Sequence, residues 1–374
     1  MGSVRTPQIR AALVEPLRCA LANDALVLSE TNGEWPRLDA SDVRTLLDHG
    51  IAPLVYRATK LPALRAAAIH AAAHETLRES DLRQVLELLT ARGIAPLLIK
   101  GSALAYSIYD APELRPRGDT DLLIRSEEAS GARDAMRAAG FTEQVTSGDE
   151  HGVRQMFFTR QGAMGVRHSY DIHWSLTNSA IFSSAFESER IRERSVAIPA
   201  LGPHARTLAP VDALLLACIH RVAHHQDSDR LIWLADIVKL LDNMSSAELA
   251  TFWRLAAAGR TVGVCARSID LACHWFLRRP VPGPAAWLTE EELSRDEPSR
   301  QLLNRSISYG SVIAANLRAL PWPARVVRLR QLAFPPAAYM TQTYGVHSPV
   351  IRPVLYLRRA VSGIRRLFRR RADL

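Results

Sequence analysis

Two stretches decide the fold class: LIKGSALA at positions 98–105 and LRPRGDTDLLI at positions 114–124. The first links an apolar run at 94–99 to a segment with helical pattern at 102–109, and the second leads into a segment at 120–125 that is as short as a strand and has an apolar core. Short apolar runs bounded by Gly or polar residues are typical of buried strands. Together they predict a strand, a Gly-Ser turn into a helix, a loop and a second strand.

The rest of the chain has a mostly helical pattern. Apolar residues recur at helical spacing before position 92 and after about 208, and further short strands with a hairpin at 161–162 are predicted in between. The sequence therefore predicts an α+β fold, with a small mixed β-sheet core flanked by N-terminal and C-terminal helical regions. The predicted segments are a helical N-terminal region (1–92), an α/β core (93–205), a helical domain (206–297) and a basic helical C-terminal region (298–374).

The composition excludes several classes of protein. Of the 374 residues, 48% are hydrophobic and 23% are charged, which excludes a wholly disordered, collagen-like or coiled-coil chain. Four scattered cysteines without a C-x-x-C pair argue against a disulfide framework or a cysteine zinc site. The N-terminus lacks the apolar core of a signal peptide, and the longest uncharged run, 331–351, contains three prolines. We expect a cytoplasmic protein without a transmembrane segment.

Asp119 and Asp121 form a D-x-D pair at the start of the second apolar strand. Residues at i and i+2 of a strand project to the same face, so their carboxylates lie close together and favour a divalent cation between them. Mg²⁺ prefers hard oxygen ligands and keeps positions open for phosphate oxygens. The pair predicts a metal–triphosphate site, although a D-x-D alone also occurs in turns and at strand edges.

The turn before the helix carries residues suited to phosphate. Gly101 lets a phosphate approach the backbone, and Ser102 offers a hydroxyl at a helix N-terminus that favours anions. Lys100, Arg115 and Arg117 supply positive charge for a triphosphate. Two alternatives stay open: Ser102 as a helix N-cap without a ligand, and the cations as solvated surface residues.

A third carboxylate, Asp171, lies in the alternating segment 169–176. The alternation predicts Asp171 and His173 on one face of a strand, and Ile172 and Leu176 on the other. If this strand lies beside the one with the D-x-D pair, Asp171 joins the metal site and activates an acceptor hydroxyl. His173 is then a hydrogen-bond partner of the ligands or a plain strand residue.

A group of histidines follows in the next predicted helix. His220 and His224 are four residues apart and share a helical face, which permits a transition-metal site. Arg221 stands where a zincin helix has Glu, and a packing or hydrogen-bonding role for His220 is the alternative. Arg230 and Asp236, six apart, do not face each other on one helix and are predicted to reach toward the nucleotide or the α/β core.

These residues resemble the nucleotidyltransferase superfamily typified by DNA polymerase beta, and more closely the bacterial nucleotidyltransferase family proteins. The resemblance covers roughly residues 90 to 245. The spacing of 17 residues from Ser102 to Asp119 is longer than in most of the superfamily but is shared by the closer group. The matching positions are Lys100-Gly101, Tyr109, Arg115-Pro116, Asp119-Thr120-Asp121, Asp171-Ile172-His173-Trp174, Leu208-Ala209-Pro210, His220, Arg230, Trp233 and Asp236.

The resemblance implies a nucleotidyltransferase that uses two Mg²⁺ ions, or Mn²⁺ in their place. Asp119 and Asp121 would hold both ions, Asp171 one of them, and Ser102 would contact the β- and γ-phosphates. A nucleoside monophosphate would pass from an NTP such as ATP to an RNA, a protein or a small molecule, with release of pyrophosphate. The nucleotide would be bound by Lys100, Gly101, Ser102, Arg115 and Arg117. The residues that support them without direct contact to the nucleotide would be His173, His220, Arg230 and Asp236.

Two rival functions are retained. One is a catalytically idle relative that binds nucleotide or nucleic acid in the same pocket. The other is a metal-dependent phosphohydrolase centred on His220, His224 and Asp236. The presence of Asp119, Asp121 and Asp171 argues against the idle relative, and the transferase mechanism requires that these three carboxylates cluster around shared metal ions.

The formal net charge of +9 is concentrated at the C-terminal end. From position 298 onward there are fourteen arginines and one acidic residue, Asp373, so the preceding part is mildly acidic. Residues 355–371 pattern as a basic amphipathic helix, suited to an acidic membrane surface, RNA or an acidic protein. The alternative is a solvated helix end.

Overall fold

The computed structural model describes residues 8–21, 35–144, 154–276, 281–345 and 349–368. It confirms the predicted α+β class, because one mixed sheet lies among helices that precede and follow it in the chain. The helices before and among the strands are α1 (Ala11–Leu21), α2 (Ala40–Asp48), α3 (Ala52–Thr59), α4 (Pro62–Thr90), α5 (Lys100–Ser107), α6 (Ala129–Ala138) and α7 (Ser188–Glu193). Those that follow are α8 (Pro210–Ala223), α9 (Leu231–Asp242), α10 (Ser246–Ala258), α11 (Val262–Trp275), α12 (Glu290–Ser294), α13 (Tyr309–Ala319), α14 (Trp322–Ala333), α15 (Ala337–Tyr344) and α16 (Arg352–Leu367).

The sheet has seven strands in the order β3-β4-β5-β2-β1-β7-β6. β2 runs parallel to β5 and β1 parallel to β7, whereas the other neighbouring pairs are antiparallel. The antiparallel pairing of β4 and β5 confirms the predicted hairpin. The strands are β1 (Leu97–Ile99), β2 (Thr120–Leu123), β3 (Thr142–Gln144), β4 (Gln155–Gln161), β5 (Arg167–His173), β6 (Val196–Ala197) and β7 (Arg206–Thr207).

The two faces of the sheet differ in chemistry. Leu122 and Ile172 are fully buried on the face that packs against α4 and α6. Successive residues of a strand point to opposite faces, so Asp121, Asp171 and His173 project from the other one. These three polar side chains therefore project toward α8, on the face opposite Leu122 and Ile172.

One predicted face assignment is wrong. The alternation over 169–176 places Leu176 with Ile172, but β5 ends at His173 and the two-residue period does not continue past it. Leu176 instead packs with Leu123, on the face that carries the polar residues. The chain turns after His173, and the turn reverses the side on which the next apolar residue lies.

One helical core joins the N-terminal helices to α8–α11. Leu17 and Val55 from the first part of the chain pack with Leu214, Leu234 and Trp253 from the later part. The predicted segments 1–92 and 206–297 thus share buried side chains, and the division of the chain into four segments stays a prediction.

The C-terminal helices α13–α16 contribute few buried side chains, such as Ala315, Met340 and Leu355. The predicted basic helix is described from Arg352 to Leu367, and its last arginines, 369–371, lie outside the described residues. In the part of the chain that the structure describes, no helix has the length and apolar character needed to cross a bilayer.

Candidate metal centre

The three central strands border a cavity of about 620 Å³. Ile99 on β1 pairs with Asp121 on β2, and Asp121 pairs with Asp171 on β5, so the two carboxylates lie side by side. Helices α8 and α9 line the same cavity with His220 and Trp233. Its charged and titratable lining from the predicted set comprises Lys100, Arg115, Arg117, Asp119, Asp121, Asp171, His173, His220, Arg230 and Asp236.

Asp121 is the most strongly bound carboxylate of the cavity. Its Oδ1 lies 2.7 Å from Lys100 Nζ and 2.9 Å from His173 Nε2. Burial alone would raise the pKa of Asp121, but the Lys100 ammonium and the hydrogen bond from His173 hold it well below its usual range. Asp121 is therefore ionised at any physiological pH and ready to bind a cation.

Asp171 has the opposite environment. Its Oδ1 is buried and has no hydrogen-bond partner, and its Oδ2 lies 3.9 Å from His173 Nε2. Burial and the nearby Asp121 charge raise the pKa of Asp171 to about 7, against a smaller lowering by Lys100. A buried carboxylate oxygen without a partner is costly, and a bound cation would relieve that cost.

Three side chains form a candidate ligand set. One oxygen each of Asp121 and Asp171 and one ring nitrogen of His173 all lie within 4.8 Å of one another. Burial and the Lys100 charge lower the pKa of His173, which keeps its imidazole neutral, as metal binding requires. Two carboxylates with the unsatisfied oxygen of Asp171 and a neutral imidazole fit a divalent cation.

This set differs from the predicted one at one member. Asp119 lines the cavity, but it is exposed and does not belong to the described ligand group. β2 begins at Thr120, so Asp119 lies in the preceding loop and the strand period does not fix its direction. His173, predicted only to support the ligands, takes the third position because it follows Asp171 by two residues on β5.

Lys100 stands at the sharp turn between β1 and α5. Its φ of +56° lies in the left-handed region, which residues other than glycine rarely adopt. The turn brings Nζ to 2.7 Å from Asp121 and 3.2 Å from His173 Nε2. Burial tends to lower the pKa of Lys100, but Asp121 and Asp171 raise it overall, so the ammonium stays charged beside the ligand set.

Gly101 is required by the close approach of Arg115. A Cβ atom at position 101 would lie 2.9 Å from the central carbon of the Arg115 guanidinium. That guanidinium is fixed because its Nε and Nη2 donate to the two oxygens of Asp236 at 2.9 and 2.7 Å. Tyr109 also donates to Asp236, at 2.8 Å. Asp236 therefore reaches the α/β core by binding Arg115, and both side chains are buried.

Arg117 is also bound within the protein. Its guanidinium makes two hydrogen bonds of 2.8 Å to the carboxylate of Glu75 on α4. Tyr106 donates to the same carboxylate, and Arg78 donates to the carbonyl of Arg117. The Arg117 side chain is only 3% exposed, so its charge serves to attach the loop before β2 to α4.

Ser102 has a different contact from the one predicted. Helix α5 begins at Lys100, so Ser102 lies in its first turn rather than at the N-cap. The buried hydroxyl donates to the carbonyl of Asp119 at 3.2 Å and accepts from the amide of Asp121 at 3.3 Å. Ser102 thus fixes the backbone of the D-x-D segment.

An aromatic cluster forms the wall opposite the strands. The His225 ring stacks on Trp233 at 3.9 Å, and the His220 ring lies edge-on to His225 at 4.7 Å. The Arg230 guanidinium lies over the same indole ring at 5.1 Å. Burial and the Lys100 charge hold the pKa of His220 well below its usual value, so its ring is neutral.

The geometry gives no support to the histidine-centred alternative. Asp236, its proposed carboxylate, is bound by Arg115 and Tyr109. Within the described residues, His220 and His224 are not part of a three-ligand group, whereas Asp121, Asp171 and His173 are. His220 and His225 instead pack against Trp233.

Sequence reasoning missed two buried carboxylates of α4, one that binds a residue of the cavity and one that binds the other face of the sheet. Glu75 lies on a long helix with no motif around it, and its pairing with Arg117 depends on a contact 42 residues away. Asp81, on the same helix, accepts from Tyr170 at 2.7 Å on β5. The one available signal was a carboxylate among apolar residues on the buried face of α4.

A mixed sheet that presents paired carboxylates and an imidazole to a cavity defines a candidate metal centre. A family model described as an uncharacterised nucleotidyltransferase matches residues 40–277, which is more than half of the chain. The chain therefore belongs to this family of nucleotidyltransferases. A search of curated proteins found no match.

Proposed function

We propose that this protein transfers a nucleoside monophosphate from a nucleoside triphosphate to an acceptor hydroxyl, in the cytoplasm and with release of pyrophosphate. The observation that carries the proposal is the ligand set Asp121, Asp171 and His173 at the wall of a large cavity, in a chain that belongs to a nucleotidyltransferase family. The cavity gives a triphosphate room beside the metal ligands.

A divalent cation, Mg²⁺ or Mn²⁺, bound by Asp121, Asp171 and His173 would neutralise phosphate charge and polarise the reacting phosphoryl group. We assign the exposed Asp119 at the same cavity as a carboxylate for the second cation of a two-metal site. Lys100 adds a fixed positive charge beside this set, and Arg230 adds one on the opposite wall. Asp236 and Glu75 already neutralise Arg115 and Arg117. These two arginines therefore hold the loop before β2 in place and add no free positive charge for the triphosphate.

In the proposed reaction, the acceptor oxygen forms a bond to the α-phosphorus. The bond between that phosphorus and the oxygen leading to the β-phosphorus breaks, and pyrophosphate leaves. The hydroxyl proton passes to the carboxylate of Asp171.

The test is incubation of the full-length protein with each of four labelled nucleoside triphosphates, Mg²⁺ or Mn²⁺, and total cell extract. Transfer of label to RNA, protein or small molecules then identifies the acceptor class, and pyrophosphate release measures turnover. The variant Asp121→Asn keeps the size of the side chain and removes the charge, and we expect a loss of about a thousandfold in turnover. Asp134→Asn, at an exposed position of α6, is the matched control.

Three results would contradict the proposal. Metal-dependent binding of a nucleoside triphosphate with no transfer to any acceptor would identify the chain as an idle relative. Turnover that survives in Asp121→Asn would remove the ligand set from the reaction. Phosphate release that depends on His220 and not on Asp121 would restore the phosphohydrolase.

A further inference from the structure

The C-terminal part of the chain has an unusual charge distribution. From position 298 to the end there are fourteen arginines, no lysine and one acidic residue, Asp373. The described residues between 298 and 368 include eleven of these arginines and no carboxylate side chain. Helices α13–α16 therefore form a strongly cationic region, and its described residues include no carboxylate that could neutralise the arginines.

The last described helix exposes an apolar stripe. Val354, Leu357 and Val361 on α16 are 63%, 66% and 45% exposed, and Phe368 just beyond the helix is 83% exposed. Their spacings of three, four and seven residues place them on one face of a helix. Leu355, on a different face of the helix, is buried. The apolar stripe of α16 thus points away from the protein.

A second helix repeats the arrangement. Trp322, Val326 and Leu329 on α14 are 71%, 48% and 50% exposed and follow each other at spacings of four and three. Phe334, at the end of α14, is also exposed, and its ring lies 6.0 Å from that of Tyr356 on α16. The end of α14 therefore lies beside α16, and both helices expose large apolar side chains.

Arginine side chains accompany the stripes. Arg358 directly follows Leu357 on α16 and is exposed, and Arg330 directly follows Leu329 on α14 and is exposed. Exposed aliphatic and aromatic residues beside arginines, on helices too short and too polar to span a bilayer, are typical of helices that lie in the plane of a membrane interface.

We propose that helices α14 and α16 dock the protein on the surface of a membrane that contains anionic lipids. Negatively charged headgroups complement the arginines, and the acyl boundary accepts the stripes. A second copy of this chain would oppose one cationic region to another. RNA would neutralise the arginines but would leave Val354, Leu357 and Val361 in water. The membrane surface is the one partner of these three that satisfies both features.

The experiment uses the full-length protein and vesicles of phosphatidylcholine, with or without phosphatidylserine, in a sedimentation assay. We expect binding to the phosphatidylserine vesicles, weakened by salt because screening acts on the charges. Replacing Val354, Leu357 and Val361 together with Ser removes three exposed apolar side chains and should weaken vesicle binding about tenfold or more. The matched control replaces Ile69, Met164 and Val196, which are exposed elsewhere, with Ser and should bind like the parent.

Unfolding curves of the parent and both triple variants test whether each variant keeps its fold. Equal vesicle binding by the parent and the Val354, Leu357 and Val361 variant would overturn the proposal. So would absence of binding to phosphatidylserine vesicles. Loss of a homodimer in sedimentation velocity, or loss of labelled-RNA binding, with vesicle binding unchanged, would assign the surface to that other partner and overturn the proposal as well.

Discussion

The cavity and the C-terminal helices treat charge in opposite ways. In and around the cavity, cationic side chains lie with carboxylates, and both partners are largely buried. In the described C-terminal helices, arginines accumulate without carboxylates of their own sequence, and apolar side chains remain exposed. The pairs of the first region are Lys100–Asp121, Arg115–Asp236 and Arg117–Glu75.

This difference concerns the source of the opposite charge, which lies within the chain at the cavity and is missing from the sequence of the C-terminal helices. The three ion pairs of the cavity are balanced within the protein, so removing one charge of a pair leaves its partner buried and uncompensated, which lowers stability. We propose that the C-terminal helices find their counter-charge in a partner outside the chain, so single changes there should affect binding and leave the fold intact.

The replacement Lys100→Met should give the largest effect. It leaves the buried Asp121 carboxylate without its ammonium partner at 2.7 Å, and we expect a loss of about 3 kcal/mol in the free energy of unfolding. A divalent cation supplies positive charge at the same oxygen. Added Mn²⁺ should therefore stabilise the variant more than it stabilises the parent, in denaturant unfolding with and without the metal.

The control for this change is Lys239→Met. Lys239 lies over the ring of Tyr109 at 5.2 Å and forms no ion pair within the described residues, so about 1 kcal/mol or less should be lost. Equal losses of stability in the two lysine variants, with equal responses to Mn²⁺, would contradict this prediction. Lys100 would then not be the group that compensates the buried charge of Asp121.

The replacement Gly101→Ala should destabilise the protein by about 2 kcal/mol, because the new methyl group overlaps the Arg115 guanidinium. The guanidinium cannot move without lengthening its bonds to Asp236. Gly131→Ala on α6 is the control, since its nearest neighbour is a flexible end of Ile94 at 3.6 Å. Alanine favours a helix, so Gly131→Ala should raise stability by up to about 1 kcal/mol. Equal effects at both positions would contradict the packing argument.

Metal affinity should depend on pH through Asp171. Its pKa is raised to about 7, so below that pH a proton competes with the cation for the carboxylate. We expect the affinity for Mn²⁺, measured by calorimetry, to rise about tenfold per pH unit up to about pH 7 and then to level off. Asp171→Asn should bind Mn²⁺ weakly and without this slope. A parent affinity that stays constant below pH 7 would remove Asp171 from the ligand set.

Much of the fold could be predicted because its signals are local. The run at 94–99, the D-x-D segment and the alternation around Asp171 each determine a strand within a few residues. The predicted boundaries were less accurate. Helix α5 begins at Lys100 rather than at Ser102, and the left-handed backbone at Lys100 was not predicted because that position carries no glycine. The end of β5 at His173 was likewise not marked by Gly or Pro.

The site was predictable where it follows strand period, and less so where it depends on tertiary contacts. Asp121 and Asp171 fall in one register because both lie on strands. The ligand position of His173 and the loop position of Asp119 depend on where β5 ends and β2 begins. The binding of Arg117 by Glu75 joins residues 42 apart, and no local pattern encodes such a pair.

The smallest effect is expected at the exposed stripe of α16. Leu357→Ser removes an apolar side chain that is 66% exposed, so the free energy of unfolding should change by no more than about 0.5 kcal/mol. Leu355→Ser, two positions earlier on the buried side of the same helix, should cost clearly more, because Leu355 is 6% exposed. Denaturant unfolding of both variants compares the two faces directly. If Leu357→Ser destabilises as much as Leu355→Ser, the stripe is already covered within the protein. The contrast between charges paired at the cavity and C-terminal helices that bind an outside partner then fails.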